Sequence, residues 1–76
     1  MSIQLFFGQN VRLAREKKGW SQDQLSEESG LHRTYISGIE RGVRNPTIAI
    51  AQQISVALGV DIQKLFLDPK LKSYLL

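Results

Sequence analysis

The sequence predicts an all-α domain of five short helices, and three observations predict it. Glycine and proline punctuate the chain at intervals that suit helices, at Gly19, Gly30, Gly42, Pro46, Gly59 and Pro69. No segment sustains the apolar alternation that a half-buried strand requires. Short polar residues able to cap a helix follow three of these breaks, at Ser21, Thr47 and Asp61.

The first helix is expected from about Phe6 to Lys18, with Phe7, Val11, Ala14 and Lys18 on one stripe. Gly19 closes it in the left-handed conformation, and its basic last turn suits the negative end of the helix dipole. Ser21 opens the second helix, and Gln24 has the capping-box spacing in which two side chains satisfy each other's orphan amides. Leu25 is the clearest core residue of this helix, which stops at Gly30. Only Leu31 separates that turn from the third helix, which ends before Gly42. A short helix, a tight glycine turn and a second short helix outline a helix-turn-helix over about residues 21–42. Asn45-Pro46 then breaks the chain, Thr47 caps a fourth helix and Gly59 ends it. Asp61 is expected to cap a final helix through about Phe66, stopped by Asp68-Pro69. No repeat, low-complexity stretch or linker divides the chain, so residues 1–76 are expected to form one domain.

With 76 residues there is room for one modest core, and 42% hydrophobic against 22% charged residues is the balance of a folded soluble chain. No cysteine means no disulfide and no thiolate zinc site, and a single histidine, His32, rules out a His-rich metal site. No nucleophile paired with a base, metal cluster or phosphate loop is legible, so neither an enzyme, a cofactor nor a metal is expected. No apolar run approaches a membrane span, and MSIQLFFGQN lacks the basic front and long apolar centre of a secretory signal. A cytoplasmic protein with no membrane partner is the expectation. Ten Lys and Arg against seven Asp and Glu give a net charge of +3 and suit a polyanionic partner. Asp23, Glu27 and Glu28 cluster in one segment, whereas Arg12, Arg15, Lys17 and Lys18 gather before it and Arg33, Arg41 and Arg44 after it. The domain should therefore have a basic side.

At about 100° per residue, Tyr35, Ile36 and Ile39 of the third helix face the core. Arg33, Thr34, Ser37, Gly38 and Arg41 occupy the opposite arc, which carries two guanidinium groups and no large apolar residue. A core would reject that combination and a DNA groove would accept it. Arginine pairs bidentately with guanine, and threonine reaches a base edge or the methyl of thymine. Gly38 costs a helix about 1 kcal/mol relative to alanine. Close approach to DNA, approach of Tyr35 to the backbone, or a tolerated weak spot would each account for it. His32 is expected near the phosphate backbone or as the cap of the third helix.

The stretch SQDQLSEESGLHRTYISGIERG, Ser21 to Gly42, closely resembles the helix-turn-helix of the Cro and phage-repressor (XRE) family. Gln22, Leu25, Gly30, Ile36, Ile39, Glu40 and Gly42 carry the resemblance, and Ser26 departs from the family's usual alanine. Within it, HRTYISGIERGVRNPT is most similar to the controller proteins of restriction-modification systems. The resemblance implies a compact lambda-repressor-like fold and a set of roles. Gln22 would donate to a DNA phosphate; Arg33 and Thr34 would read bases, with Ser37 one turn on along the same face. Arg41, Arg44 and Asn45 would contact phosphates or enter a neighbouring groove. Tyr35 would take a mixed role at the core margin and a base step. Arg15 and Glu40 would form a partly buried salt bridge and touch no DNA.

One recognition helix reads only a few base pairs, so a dimer on half-sites about one helical turn apart is expected. Ile48, Ala51, Ile54 and Leu58 form a stripe on the fourth helix, leaving Ile50 and Ala57 outside it. These two, with Phe66, Leu67, Leu71, Tyr74 and Leu75, are the expected interface within a dimerisation region of about residues 48–76. A tail folded back over its own domain is the alternative. The expected partners are operator DNA, a second copy and RNA polymerase. The function implied is a dimeric transcription regulator on a two-fold symmetric operator, of the controller type. A phage-type repressor or antitoxin regulator is the near alternative; a protein-interaction module that has lost DNA binding is the distant one.

Overall fold

The computed structural model describes residues 2–71, the Leu71 side chain excepted. Four α-helices, α1 (Ile3–Lys17), α2 (Gln22–Ser29), α3 (Arg33–Glu40) and α4 (Ile48–Leu58), are followed by two 3-10 turns, Ile62–Phe66 and Pro69–Leu71. There is no strand among the described residues.

The helix ends follow from local chemistry. Gly19, Gly30 and Gly59 take positive φ where α1, α2 and α4 close. Ser21 Oγ accepts from the Gln24 amide at 3.0 Å, and Thr47 Oγ1 from that of Ile50 at 3.1 Å. The capping box is only half formed, because the Gln24 side chain donates to Glu28 one turn on instead of accepting from the Ser21 amide. His32 caps α3, its Nδ1 accepting from the Thr34 amide at 3.1 Å.

The fifth helix expected from Asp61 is instead a five-residue 3-10 turn, and the Asp61 side chain makes no capping bond. The segment before Asp68-Pro69 has room for little more than one helical turn, and the Leu65 carbonyl has no amide four residues on, because that residue is Pro69. The buried Asn10 of α1 supplies the donor: Nδ2 reaches the carbonyls of Leu65 at 2.9 Å and Leu67 at 2.7 Å. The turn ends at Phe66, before Asp68-Pro69 as expected; beyond it Asp68 Oδ1 accepts from the Lys70 amide and a separate 3-10 turn begins at Pro69.

Phe7, Val11, Leu25, Ile36, Ile39, Ala51, Ile54, Leu58 and Leu65 form the buried core, with Phe66 tilted against Phe7 at 5.0 Å between ring centres. Two residues expected on core stripes are outside it. Lys18 is exposed at the C-cap of α1, its ammonium 4.7 Å over the Trp20 ring, where a cation keeps both hydration and an aromatic face. Ile48 is 84% exposed because, as the first residue of α4, it lies beyond the edge of the core.

Gly8 is a point of close approach between α1 and α3. A Cβ on it would collide with the Ile39 carbonyl oxygen, and the Glu40 carbonyl lies just behind. The two backbones touch only because this residue has no side chain.

Candidate nucleic-acid interface

The recognition arc of α3 is built by the same turn that hides its other side. Ile36 and Ile39 are fully buried, Tyr35 is half-buried against the core, and Arg33, Thr34 and Arg41 are exposed, with Ser37 between them in exposure. Arg44 and Asn45 are exposed in the loop that leaves α3.

Gly38 departs from its expected place on the free arc: it is buried, and what covers it is Arg44. The loop turns back as the Val43 and Arg44 amides donate to the Gly38 carbonyl at 3.0 and 3.2 Å. The Arg44 stem then crosses the glycine, where an added Cβ would stand 2.5 Å from its Cγ, and its guanidinium reaches 5.8 Å from the Tyr35 ring centre. Glycine at 38 thus makes room for the side chain of Arg44. Gly38→Ala is expected to push Arg44 off Tyr35 with little change in melting temperature. The gain of about 1 kcal/mol in helix propensity offsets a cation-π contact of similar size. Thermal melts and the Tyr35 ring resonances check this; unchanged resonances would refute it.

Behind the arc, Glu40 collects three donors. Arg15 engages it bidentately, Nε to Oε2 at 2.7 Å and Nη2 to Oε1 at 2.9 Å, while Arg15 Nη1 donates to the Trp20 carbonyl at 2.7 Å. Gln22 Nε2 adds a bond to Glu40 Oε1 at 3.1 Å. The side chains are only 11% and 4% exposed for Arg15 and Glu40. The hydrogen bonds to Glu40 raise the Arg15 pKa above its ordinary value against the opposing effect of burial. Gln22 therefore has one side turned inward, at the first residue of α2.

Arg33 is not free on its arc: its Nε lies 3.2 Å from Asp23 Oδ1, across the turn on α2. Sequence reading missed this partner; the gathering of acids in α2 was its only trace. Among the expected interface residues, Ile50 and Ala57 are partly buried against the core. Phe66 is 36% exposed, and Leu67 is half-buried with its carbonyl held by Asn10. The Leu71 side chain, Tyr74 and Leu75 lie outside the described residues.

No helix among the described residues is long and apolar enough to cross a membrane. Residues 11–65 match the Helix-turn-helix family. The chain is 53% identical over 60 residues to the control protein C.BamHI of Bacillus amyloliquefaciens, covering 78% of this chain and 74% of that one. It is 43% identical over 61 residues to a hypothetical transcription factor of Neisseria meningitidis, covering 80% of this chain but only 58% of that relative. Among solved structures, the restriction-modification controller protein C.Esp1396I, crystallised as a tetramer with its natural 35 base-pair operator, superposes with a TM-score of 0.79 at 36% identity. That match covers 87% of each chain.

Proposed function

The chain belongs to the Helix-turn-helix family, and we propose that within it the protein is a dimeric, sequence-specific transcription regulator of the restriction-modification controller type. The observation that carries the proposal is the arc of α3. Arg33, Thr34 and Arg41 stand exposed on a helix whose opposite side is core, with Arg44 beside them. A helix of this kind fits the major groove, roughly 12 Å wide. A surface kept only for binding proteins would have no reason to collect three guanidinium groups around one threonine. The similarity to control proteins and to an operator-bound tetramer supports the same reading.

In this reading the chain is one domain. Residues 21–42 read DNA, and residues 48–76 bring two copies together on a two-fold symmetric operator. Arg33 and Thr34 contact bases, with Ser37 on the same face. Gln22, His32, Arg41 and Asn45 approach phosphates, and Arg44 with Tyr35 follows the adjoining backbone or groove. In the cytoplasm such a regulator would activate its own promoter at low occupancy, acting with RNA polymerase, and repress it at high occupancy. The delay would let methylation precede endonuclease synthesis.

Selection of sites from random duplexes tests the proposal directly and is expected to return an inverted repeat. On the selected site Arg33→Ala should cost about 1–3 kcal/mol and relax preference at one base pair per half-site, whereas Gln22→Ala should weaken all duplexes alike. Uniform weakening by both would remove Arg33 from base reading. A monomer in sedimentation at tens of micromolar, a loose range even for a weak specific contact, would remove the dimer.

A further inference from the structure

We infer that Asp23 is a specificity-determining residue that sets the pose of Arg33 before DNA arrives. The inference rests on the reading of Arg33 as a base contact. Arg33 opens α3 and Asp23 is the second residue of α2, so their ion pair at 3.2 Å spans the two arms of the helix-turn-helix. Both side chains are well exposed, 59% and 77%, which makes the pair a weak contributor to folding. A carboxylate in this place also works against affinity. It stands at the N-terminal end of α2, where the helix dipole would draw in a phosphate and an acid repels it.

The geometry gives the acid a use that offsets this repulsion. The approach of Asp23 to the guanidinium is at Nε, not at the terminal Nη1 or Nη2. Those two terminal nitrogens are the edge that spans O6 and N7 of a guanine when arginine meets it end-on. An arginine without such a partner is long and rich in rotamers, and it is free to swing to a phosphate, a contact that carries no sequence information. Asp23 closes that route by occupying one edge and repelling the backbone on that side. It thereby exchanges general affinity for discrimination at one base pair.

Asp23→Asn tests this with side-chain size kept and charge removed. Sites are selected from random duplexes with the wild type, Asp23→Asn and Arg33→Ala. The selected duplex, its single base-pair variants and an unrelated duplex are then titrated. Asp23→Asn is expected to bind the unrelated duplex roughly 2–5-fold more tightly, as loss of an acid near phosphates should. Its preference at a single base pair per half-site should fall about 5-fold or more, with other positions unchanged. Its melting temperature should stay within about 2 °C. A lower melting temperature with the wild-type site profile intact would mean that Asp23 only serves the dipole of α2, and would overturn the inference. If Arg33→Ala erases preference at a base pair where Asp23→Asn keeps it, the role of Asp23 falls alone. If Arg33→Ala changes preference nowhere, base reading by Arg33 falls and the role of Asp23 falls with it.

Discussion

Gly8→Ala is expected to destabilise the domain by about 3 kcal/mol, the upper end of the usual cost of overpacking. The added methyl would fall inside the van der Waals shell of the Ile39 carbonyl oxygen and press on the Glu40 carbonyl. Both neighbours are backbone at the end of α3, so no side chain can turn aside; α1 and α3 must part. Alanine would raise the helix propensity of α1 by about 1 kcal/mol, and the expected loss remains after that gain. For a chain of this length the melting temperature should drop by roughly 10–20 °C. A change of only a few degrees would show that the two helices are not held at this distance. DNA binding should fall even below the melting temperature, because the residues displaced are those that seat the recognition helix.

Arg15→Ala is expected to cost about 3–5 kcal/mol, since removing one partner leaves a buried charge uncompensated. Glu40, only 4% exposed, would keep a single donor, Gln22 Nε2. The Trp20 carbonyl would lose its bond to Arg15 Nη1 as well. Arg15→Ala with Glu40→Ala should recover part of the loss, because the stranded carboxylate is then gone, and denaturant melts of the cycle measure the coupling. The sign of the pH dependence follows from the raised pKa of Arg15. The pair's contribution from this group is complete at every pH below arginine's ordinary value and would be lost only as pH climbs through the raised value of the folded state. An alkaline loss of stability at pH 8–10, well below the ordinary arginine range, that is present in the wild type and absent from Arg15→Ala would contradict this account of Arg15.

Local signals made much of this fold legible. Ser21 and Thr47 announce helix starts, and Gly30 and Gly59 announce ends, because a cap is a contact between residues two to four positions apart. The buried sides of α3 and α4 followed from period, except at Gly38, which Arg44 covers, and at Ile48, where period does not say how far the core extends. The parts that were not legible depend on partners far away in the chain. Gly8 looks like a flaw in a helix until Ile39 is against it. Asn10 looks like a solvent residue on an apolar stretch until the carbonyls of Leu65 and Leu67, more than fifty positions on, are brought to its amide. Gly38 invited explanations by DNA or by Tyr35, and the occupant proved to be Arg44 from the following loop. The candidate site was legible as a list of basic residues on one arc. Which of them is paired in the free protein was not, because Asp23 and Arg33 meet only once the turn has folded.

If two copies pair as proposed, the amide of Asn10 has a mechanical consequence. It fastens the segment from Leu65 to Leu67, which leads into the proposed contact between copies, to the same helix on which α3 is seated. With that segment held to α1, two copies paired through it would behave as a calliper set to one opening. An operator lengthened at its centre by a single base pair moves one half-site by about 3.4 Å and turns it around the duplex axis. A stiff calliper cannot follow that change. Such a protein would distinguish two operators with identical half-sites by the gap between them, treating spacing as a letter of the site it reads.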